Sequence, residues 1–137
     1  MSAAVLEVRD VVKRFAPSDA PALEGVSITV STGEIVGLIG PDGAGKTTLL
    51  RICAGLLGSD AGSVHALGID VLAQPVIVQQ QIGYMPQRFG LYEDLTVQEN
   101  LDLYANLQAI PRRDRPARYQ RLYRMTGLEP FADRLAG

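Results

Sequence analysis

The sequence has few of the residues that build disulfides and metal sites. It contains one cysteine, one histidine and no tryptophan in 137 residues. A lone cysteine, Cys53, cannot form a disulfide within the chain, which is typical of a reducing compartment, and it offers no cysteine cluster for a metal. We expect Cys53 to pack as a small hydrophobe inside a helix and His65 to be a strand surface residue.

Long hydrophobic runs are also missing. The longest apolar stretches, such as Ile35–Ile39 and Val76–Val78, are far shorter than the ~20 residues needed to span a membrane. The N-terminus has no basic segment followed by an apolar one, so we expect neither a signal peptide nor a membrane anchor in this sequence. Any membrane association would then depend on a partner.

Positive charge is scarce over most of the chain and concentrated near its C-terminal end. Residues 1–110 contain six Lys/Arg and twelve Asp/Glu, a balance of −6, whereas residues 111–137 contain seven Arg and three acids, a balance of +4. Such a segment could face nucleic acid or acidic lipid. We favour a solvated helix face and expect no nucleic-acid partner.

The N-terminal segments have strand character. Val5–Phe15 and Val26–Val30 are rich in β-branched residues and alternate between two faces, which predicts an antiparallel pair or a small sheet. Glu34–Ile39 is almost continuously apolar, as in a strand covered on both faces in a parallel sheet. Shorter strand candidates are Ser63–Leu67 and Ile82–Met85.

Helical patterns follow the glycine-rich segments. A helix is predicted from Lys46 to about Ala54, with Gly55 as its C-terminal stop. Thr96 and Glu99 have the spacing of a capping box, which predicts a helix start. A second helix is predicted from about residue 114, and Gly127 would end it.

The most specific motif is Gly40–Thr47, which fits G-x-x-x-x-G-K-[ST] between an apolar strand and a helix. Gly43 and Gly45 permit backbone conformations that let successive N–H groups converge on an anion, and the helix N-terminus adds its positive end. Lys46 supplies a charge for the β- and γ-phosphates, and the Thr47 hydroxyl suits Mg²⁺. The motif predicts binding of nucleotide phosphates rather than a purely structural turn.

The surrounding motifs resemble those of ABC transporter ATPase subunits. The phosphate loop reads GPDGAGKTTLLR and is followed by AGLL, by IGYMPQ at residues 82–87, and by GLYEDLTVQENL at residues 90–101. The resemblance covers nearly the whole chain, with its motifs in the family's order. GLYEDLTVQENL is most similar to the drug- and antibiotic-export branch.

The resemblance implies an α/β fold: a P-loop NTPase core with an antiparallel β arm (1–90), followed by the beginning of an α-helical subdomain (91–137). It implies ATP and Mg²⁺ as cofactors. Phe15 matches the aromatic that stacks on adenine, and Gln87 matches the glutamine that reaches Mg²⁺ and the attacking water. The catalytic residues implied are Lys46 and Gln87, and the metal ligands implied are Thr47 and Gln87. The nucleotide-binding residues implied are Phe15, Gly40, Pro41, Asp42, Gly43, Ala44, Gly45, Lys46, Thr47 and Thr48.

The family's mode of action implies two kinds of partner. One is a transmembrane permease subunit or domain, with segment 88–95 near its coupling helices. The other is a second ATPase domain in a head-to-tail dimer. The implied role is to couple ATP binding and hydrolysis to substrate export, at the cytoplasmic face of the membrane.

The sequence departs from the family pattern in two respects that matter for chemistry. Asp42 stands where many relatives have Asn or Ser, and a carboxylate near phosphate is unfavourable unless it points away or pairs with a cation. The 137 residues show no LSGGQ-like signature and no apolar strand ending in Asp-Glu, so no catalytic glutamate is identified. We therefore expect the chain to be the front part of the domain, inactive as an ATPase by itself.

Two other classes remain open. One is an ABC ATPase without a transport role, such as a translation or DNA-repair factor. The other is a P-loop small-molecule kinase, for which the arginines of residues 112–124 would be a weak candidate lid.

Overall fold

Strands rich in β-branched residues begin the structure, a computed structural model that describes residues 3–16, 20–87 and 90–137. The described residues up to Tyr84 form one compact unit, and residues 85–137 form a second. The elements of the first unit are β1 (Ala4–Lys13), β2 (Leu23–Ser31), α1 (Lys46–Cys53), β3 (Ala61–Ala66), β4 (Ile69–Asp70) and α2 (Pro75–Gln79). Those of the second are α3 (Val97–Leu107) and α4 (Arg115–Thr126), with 3-10 turns at Arg112–Asp114 and Glu129–Phe131.

The sheet has the strand order β2-β1-β3-β4, and every pairing in it is antiparallel. Val8 lies opposite Ile28 of β2 on one side and Val64 of β3 on the other. The predicted antiparallel pairing of the first two strands is therefore confirmed. β1 is the strand that joins the pair to the rest of the sheet.

The core of the first unit forms between one face of this sheet and helices α1 and α2. Leu6 and Val8 of β1, and Val64 and Ala66 of β3, contribute to it at alternate positions, because successive side chains of a strand face opposite sides. The register of β1 is irregular after Val8, and Val11, three residues on, is the next buried residue of the strand. The buried cluster comprises Val8, Val11, Leu23, Leu49, Ile52, Val64, Ala66, Val71 and Val78. Cys53 is half-buried and packs against this cluster, as predicted.

Helix α1 follows the phosphate loop directly. It ends at Cys53, one residue before the predicted end, and Gly55 follows with φ of 67°. This left-handed conformation is the one that favours glycine after a helix, so the predicted stop is confirmed. An added Cβ at Gly55 would lie 2.9 Å from the Pro75 side chain, which packs the turn against α2.

Two strand predictions are wrong for this structure. Residues 34–39 and 82–85 are not part of any strand in the described portion of the chain, and Ile35 and Ile39 are each 99% exposed. An apolar sequence favours a strand, but a strand also needs a hydrogen-bonded neighbour. No described segment pairs with either of these. Strand β3 also begins earlier than predicted, since Ala61 and Gly62 belong to it.

Helix α3 starts with a complete capping box, as predicted. The Thr96 hydroxyl accepts a hydrogen bond from Glu99 N (3.1 Å), and the Glu99 carboxylate accepts one from Thr96 N (2.8 Å). These bonds satisfy two backbone donors that a helix start would otherwise leave unpaired. The carboxylate's hydrogen bonds from Thr96 hold the pKa of Glu99 below its usual value.

Polar contacts tie α3 to α4. The Tyr119 hydroxyl donates to Asp102 Oδ1 and the Tyr123 hydroxyl donates to Gln98 Oε1, both at 2.8 Å. Burial is the main cause that raises the pKa of each phenol. Gly127, with φ of 69°, ends α4 where the sequence predicted.

The described helices include none with both the length and the apolar character required to cross a membrane.

Candidate functional site

The phosphate loop is shaped by two glycines in the left-handed region. Gly43 and Gly45 both have φ of 81°, a conformation that costs other L-residues about 1–2 kcal/mol. Gly45 is the N-cap of α1, and the first backbone hydrogen bond of the helix runs from Leu49 N to Gly45 O (2.9 Å). The N–H groups of the preceding turn are therefore outside the helix's own bonding pattern, as an anion site requires.

Lys46 is tied to the start of the same loop. Its ammonium donates hydrogen bonds to the carbonyl oxygens of Gly40 (2.8 Å) and Pro41 (2.6 Å). A lysine ammonium has three donors, so one remains for a phosphate oxygen while both carbonyl bonds persist. The loop is also closed on itself by a bond from Ala44 N to Pro41 O (3.3 Å). The positive charge is thus positioned by the loop's own backbone.

Gly45 meets the beginning of β2 at very short range. A Cβ built on it would lie 2.2 Å from the carbonyl oxygen of Ala22 and 2.8 Å from Leu23 Cδ2. No real Cβ tolerates such contacts without movement of the backbone. Glycine is therefore required here by close approach as well as by φ, and the loop is seated against the β arm.

The charges around the loop favour an anion. Thr47 and Thr48 are half-buried in the first turn of α1, and that turn contains no acidic residue. Asp42 is exposed to water, which weakens its repulsion of a phosphate by screening. Mg²⁺ prefers oxygen ligands and usually keeps several of its waters, so the hydroxyl of Thr47 is a suitable ligand for it. Among the described residues no cluster of three or more His, Cys, Asp or Glu side chains could hold a metal.

Phe15 and Gln87 are the two predicted site residues outside the loop. Phe15 follows the end of β1 by two residues and its side chain is 64% exposed, so its ring is accessible to a ligand. Gln87 is exposed and belongs to the second unit, in a segment without helix or strand. Arg88 and Phe89, at the start of the segment expected near coupling helices, lie outside the described residues.

Two side chains that hold backbone segments in place were not predicted from the sequence. Asp60 contacts the end of β1 from 46 residues away along the chain, and no local pattern in the sequence signals such a pairing. Asn100 is 3% exposed, and its side chain bonds the backbone of Tyr92, Leu95 and Thr96. A polar residue at a helix position next to apolar ones was the only available hint of its burial.

A glycine-rich loop that leads into a helix through Lys-Thr, seated against an antiparallel arm, defines a P-loop nucleotide-binding fold. The family model for ABC transporters matches residues 23–137 of the chain. The chain belongs to the ABC transporter family, and the resemblance of its motifs to the ATPase subunits of that family is confirmed.

Relatives named for multidrug transport and relatives named for sulfate import are both similar to this chain. The probable multidrug ABC transporter ATP-binding protein YbhF of Escherichia coli (strain K12) is 47% identical over 137 residues, which is 100% of this chain and 24% of the relative. A sulfate/thiosulfate import ATP-binding protein, CysA of Methylococcus capsulatus, is 36% identical over 138 residues, covering 96% of this chain and 38% of the relative. The direction of transport is therefore unresolved by these likenesses.

Solved structures share the fold. The dimeric structure of a post-hydrolysis state of the ATP-binding cassette MJ0796, bound to ADP and Pi, matches with a TM-score of 0.80 and 27% identity. The match covers 96% of this chain and 61% of that one. The α/β P-loop fold predicted from sequence, with its antiparallel arm, is confirmed. The chain spans roughly a quarter to two fifths of the length of the two curated relatives named above.

Proposed function

We propose that this chain is the ATP-binding portion of an ABC transporter ATPase, with Gly40–Thr47 as the seat of the nucleotide phosphates. One observation carries the proposal: the left-handed glycines, the helix start and the Lys46 ammonium occupy a single short loop. Each of the three attracts an anion, and together they suit a polyphosphate.

Within this loop the residues have separate tasks. Lys46 neutralises the β- and γ-phosphates, and the backbone N–H groups of Gly43 and of residues 45–48 bind phosphate oxygens. The hydroxyl of Thr47 would hold Mg²⁺, which when bound would supply positive charge beside the phosphates. Pro41, Asp42 and Thr48 line the nucleotide. Phe15 stacks on adenine, which its exposure permits.

The two parts of the chain have different roles in this proposal. Residues 1–90 are the nucleotide-binding core with its β arm, phosphate loop and glutamine loop. Residues 91–137 begin the helical subdomain. Gln87, near the end of the first part, would serve the metal and the attacking water and relay the state of the site to a permease.

The full activity would be ATP hydrolysis coupled to export across a membrane. The likeness to YbhF, described as a probable multidrug transporter protein, supports export. Partners would be a transmembrane permease and a second ATPase domain, the latter supported by the dimeric solved relative. The protein would then work on the cytoplasmic side of the membrane, held there by the permease.

Import is the second candidate, because CysA proteins with import in their names are also similar to this chain. The experiment is a Lys46→Ala substitution in the native gene, with Arg51→Ala as a control. Arg51 is an exposed cation on the same helix. We expect Lys46→Ala cells to accumulate more of the exported compound and become more sensitive to it.

Reduced uptake of a nutrient in the Lys46→Ala strain would favour import instead. No transport phenotype, together with a defect in translation or DNA repair, would favour an ABC ATPase outside transport. Phosphate transfer from ATP to a small acceptor by the purified chain would favour a kinase. We expect the 137-residue chain alone to show negligible ATPase activity, and robust turnover abolished by Lys46→Ala would contradict that.

A further inference from the structure

The carboxylate of Asp60 lies at the point where β1 ends. Its Oδ1 accepts a hydrogen bond from Lys13 Nζ (2.9 Å), and its Oδ2 accepts one from Arg14 N (2.6 Å). The backbone N–H of Asp60 donates to Val12 O (2.9 Å). One residue thus bonds three consecutive residues of the strand end, and the next residue along the chain is Phe15.

These bonds involve charge. The Arg14 backbone N–H, followed by the Lys13 side chain, holds the pKa of the Asp60 carboxyl below its usual value, so the group is ionised at neutral pH. Hydrogen bonds to an ionised acceptor are shorter and stronger than neutral ones. The Lys13 side chain is only 14% exposed, which keeps the cation beside its partner.

The same strand end is also fixed toward the phosphate loop. Ala22 N donates to Lys13 O at 2.7 Å. Ala22 is the residue whose carbonyl oxygen lies against Gly45, within 2.2 Å of an ideal Cβ there. A continuous set of backbone contacts therefore runs from Lys13, two residues before Phe15, through Ala22 to the loop that we assign to the phosphates.

We propose that Asp60 is a positioning residue for the nucleobase: by holding Lys13 and Arg14, it sets the place of Phe15 relative to the loop Gly40–Thr47. The ring of Phe15 can then meet the adenine of a nucleotide whose phosphates are already in the loop. Asp60 itself contacts no nucleotide in this arrangement. The inference rests on the proposed function, because it assumes that Phe15 stacks on the base.

The arrangement makes a prediction that a merely stabilising ion pair does not make. If Asp60 acts through Phe15, removing its carboxylate weakens binding of the base and leaves binding of the phosphates unchanged. A general loss of sheet stability would weaken both. The two ligands that separate these cases are Mg-ATP and inorganic tripolyphosphate with Mg²⁺, which shares the phosphates and lacks the base.

The experiment measures the affinity of the wild-type chain and of Asp60→Ala for both ligands by calorimetry, at a temperature where circular dichroism shows each protein folded. We expect the ATP affinity to fall about threefold to tenfold in Asp60→Ala, the effect of one lost hydrogen bond, with tripolyphosphate affinity unchanged. Asp60→Asn is the second variant if Asp60→Ala does not fold. An amide oxygen can accept from only one of the two donors while its NH₂ faces the other, so a loss in the same direction is expected.

Phe15→Ala and the double variant complete the cycle. Phe15→Ala should weaken ATP binding by about fivefold or more, the usual loss when an aromatic that stacks on a base is removed. Adding Asp60→Ala to it should cost nothing further, because both act on one contact. Asp70→Ala is the matched control. That carboxylate, at the last residue of strand β4, also accepts backbone N–H bonds, from Leu72 and Ala73, and its removal should leave both affinities unchanged.

Three results with the variants would overturn the inference. They are an unchanged ATP affinity in Asp60→Ala, equal losses for ATP and tripolyphosphate, and fully additive losses in the double variant. A wild-type chain that binds tripolyphosphate as tightly as ATP would also overturn it while leaving the phosphate site standing. A wild-type chain that binds neither ligand would instead refute the proposed function itself.

Discussion

Gly45 and Ala22 are packed so closely that no side chain fits between them. The Ala22 carbonyl oxygen lies 2.2 Å from the position of a Cβ on Gly45, and the glycine has φ of 81°. The contact joins the phosphate loop to the β arm at one point. The geometry of the anion site therefore depends on a strand start that lies more than twenty residues earlier in the chain.

Gly45→Ala should be far more destabilising than an ordinary glycine replacement. Gly33 is the matched control, because its φ of 78° is similar but nothing lies within 4 Å of its added Cβ. We expect Gly33→Ala to lower the free energy of unfolding by about 1 kcal/mol from backbone strain, and Gly45→Ala by about 3 kcal/mol from strain plus overpacking. Urea denaturation followed by circular dichroism measures both. Equal losses would show that the contact with Ala22 is unimportant.

The capping box of α3 should make stability sensitive to acid. The pKa of Glu99 is lower in the folded protein than its ordinary value of 4.5, so the ionised form stabilises the fold. That stabilisation is fully present above pH 4.5 and is lost as the pH falls through the lower folded pKa. Glu99→Gln should flatten the fall in unfolding free energy over this acidic range.

Two comparisons test the capping assignment. Glu129→Gln, which removes another acidic side chain of the same unit, is the control for the loss of one negative charge. Thr96→Ala should lower the free energy of unfolding by about 1 kcal/mol, the usual cost of a lost N-cap. An acid profile of Glu99→Gln that coincides with the wild type would refute the contribution of this pair.

Asn100 should be the polar residue on which the second unit depends most. Its buried side chain accepts from Tyr92 N (2.9 Å) and donates to Tyr92 O (3.0 Å), fastening the segment before α3 to the helix. Asn100→Ala leaves these groups unpaired, and we expect a loss of about 1–3 kcal/mol in unfolding free energy. Asn106→Ala, at an exposed position of the same helix, should cost less. Hydrogen exchange at the Tyr92 amide should be faster only in Asn100→Ala.

Cys53 should be chemically inert in the folded chain. Burial raises the pKa of its thiol to about 11, so little thiolate is present at neutral pH, and the thiolate is the reactive form. Alkylation by iodoacetamide at pH 7.5 should be slow in the native protein and fast in urea, with unfolding exposing the thiol. A native rate equal to that of the unfolded chain would contradict the burial of this side chain.

Local signals were enough to predict the features that local physics controls. The phosphate loop, the helix that follows it, the Thr96–Glu99 capping box and the Gly127 stop each depend on residues within a few positions of one another. The alternation of β-branched residues likewise predicted the antiparallel pair β1 and β2. In each case the residues that form the sequence pattern are also the residues whose backbone conformation it predicts.

Features that require a distant partner were not predictable in this way. The apolar segment Glu34–Ile39 has the composition of a central strand, yet a strand exists only where a neighbour supplies hydrogen bonds, and the described residues supply none. In the sequence, Asp60 is only one acidic residue of a glycine-containing loop. Its hydrogen bonds to Lys13 and Arg14 exist only in the folded chain, so the sequence did not predict them. The seating of Gly45 against Ala22 is also a contact between segments that the sequence alone does not pair.

The most direct test of the account is the binding of Mg-ATP to the chain by calorimetry, comparing the wild type with Lys46→Ala and with the control Arg51→Ala. We expect saturable one-to-one binding that inorganic tripolyphosphate displaces. Lys46→Ala should weaken it by about 10- to 100-fold, the loss of a charged hydrogen bond to phosphate, and Arg51→Ala should leave it unchanged. Binding of equal strength in the wild type and Lys46→Ala would contradict the assignment of Gly40–Thr47 to the nucleotide phosphates.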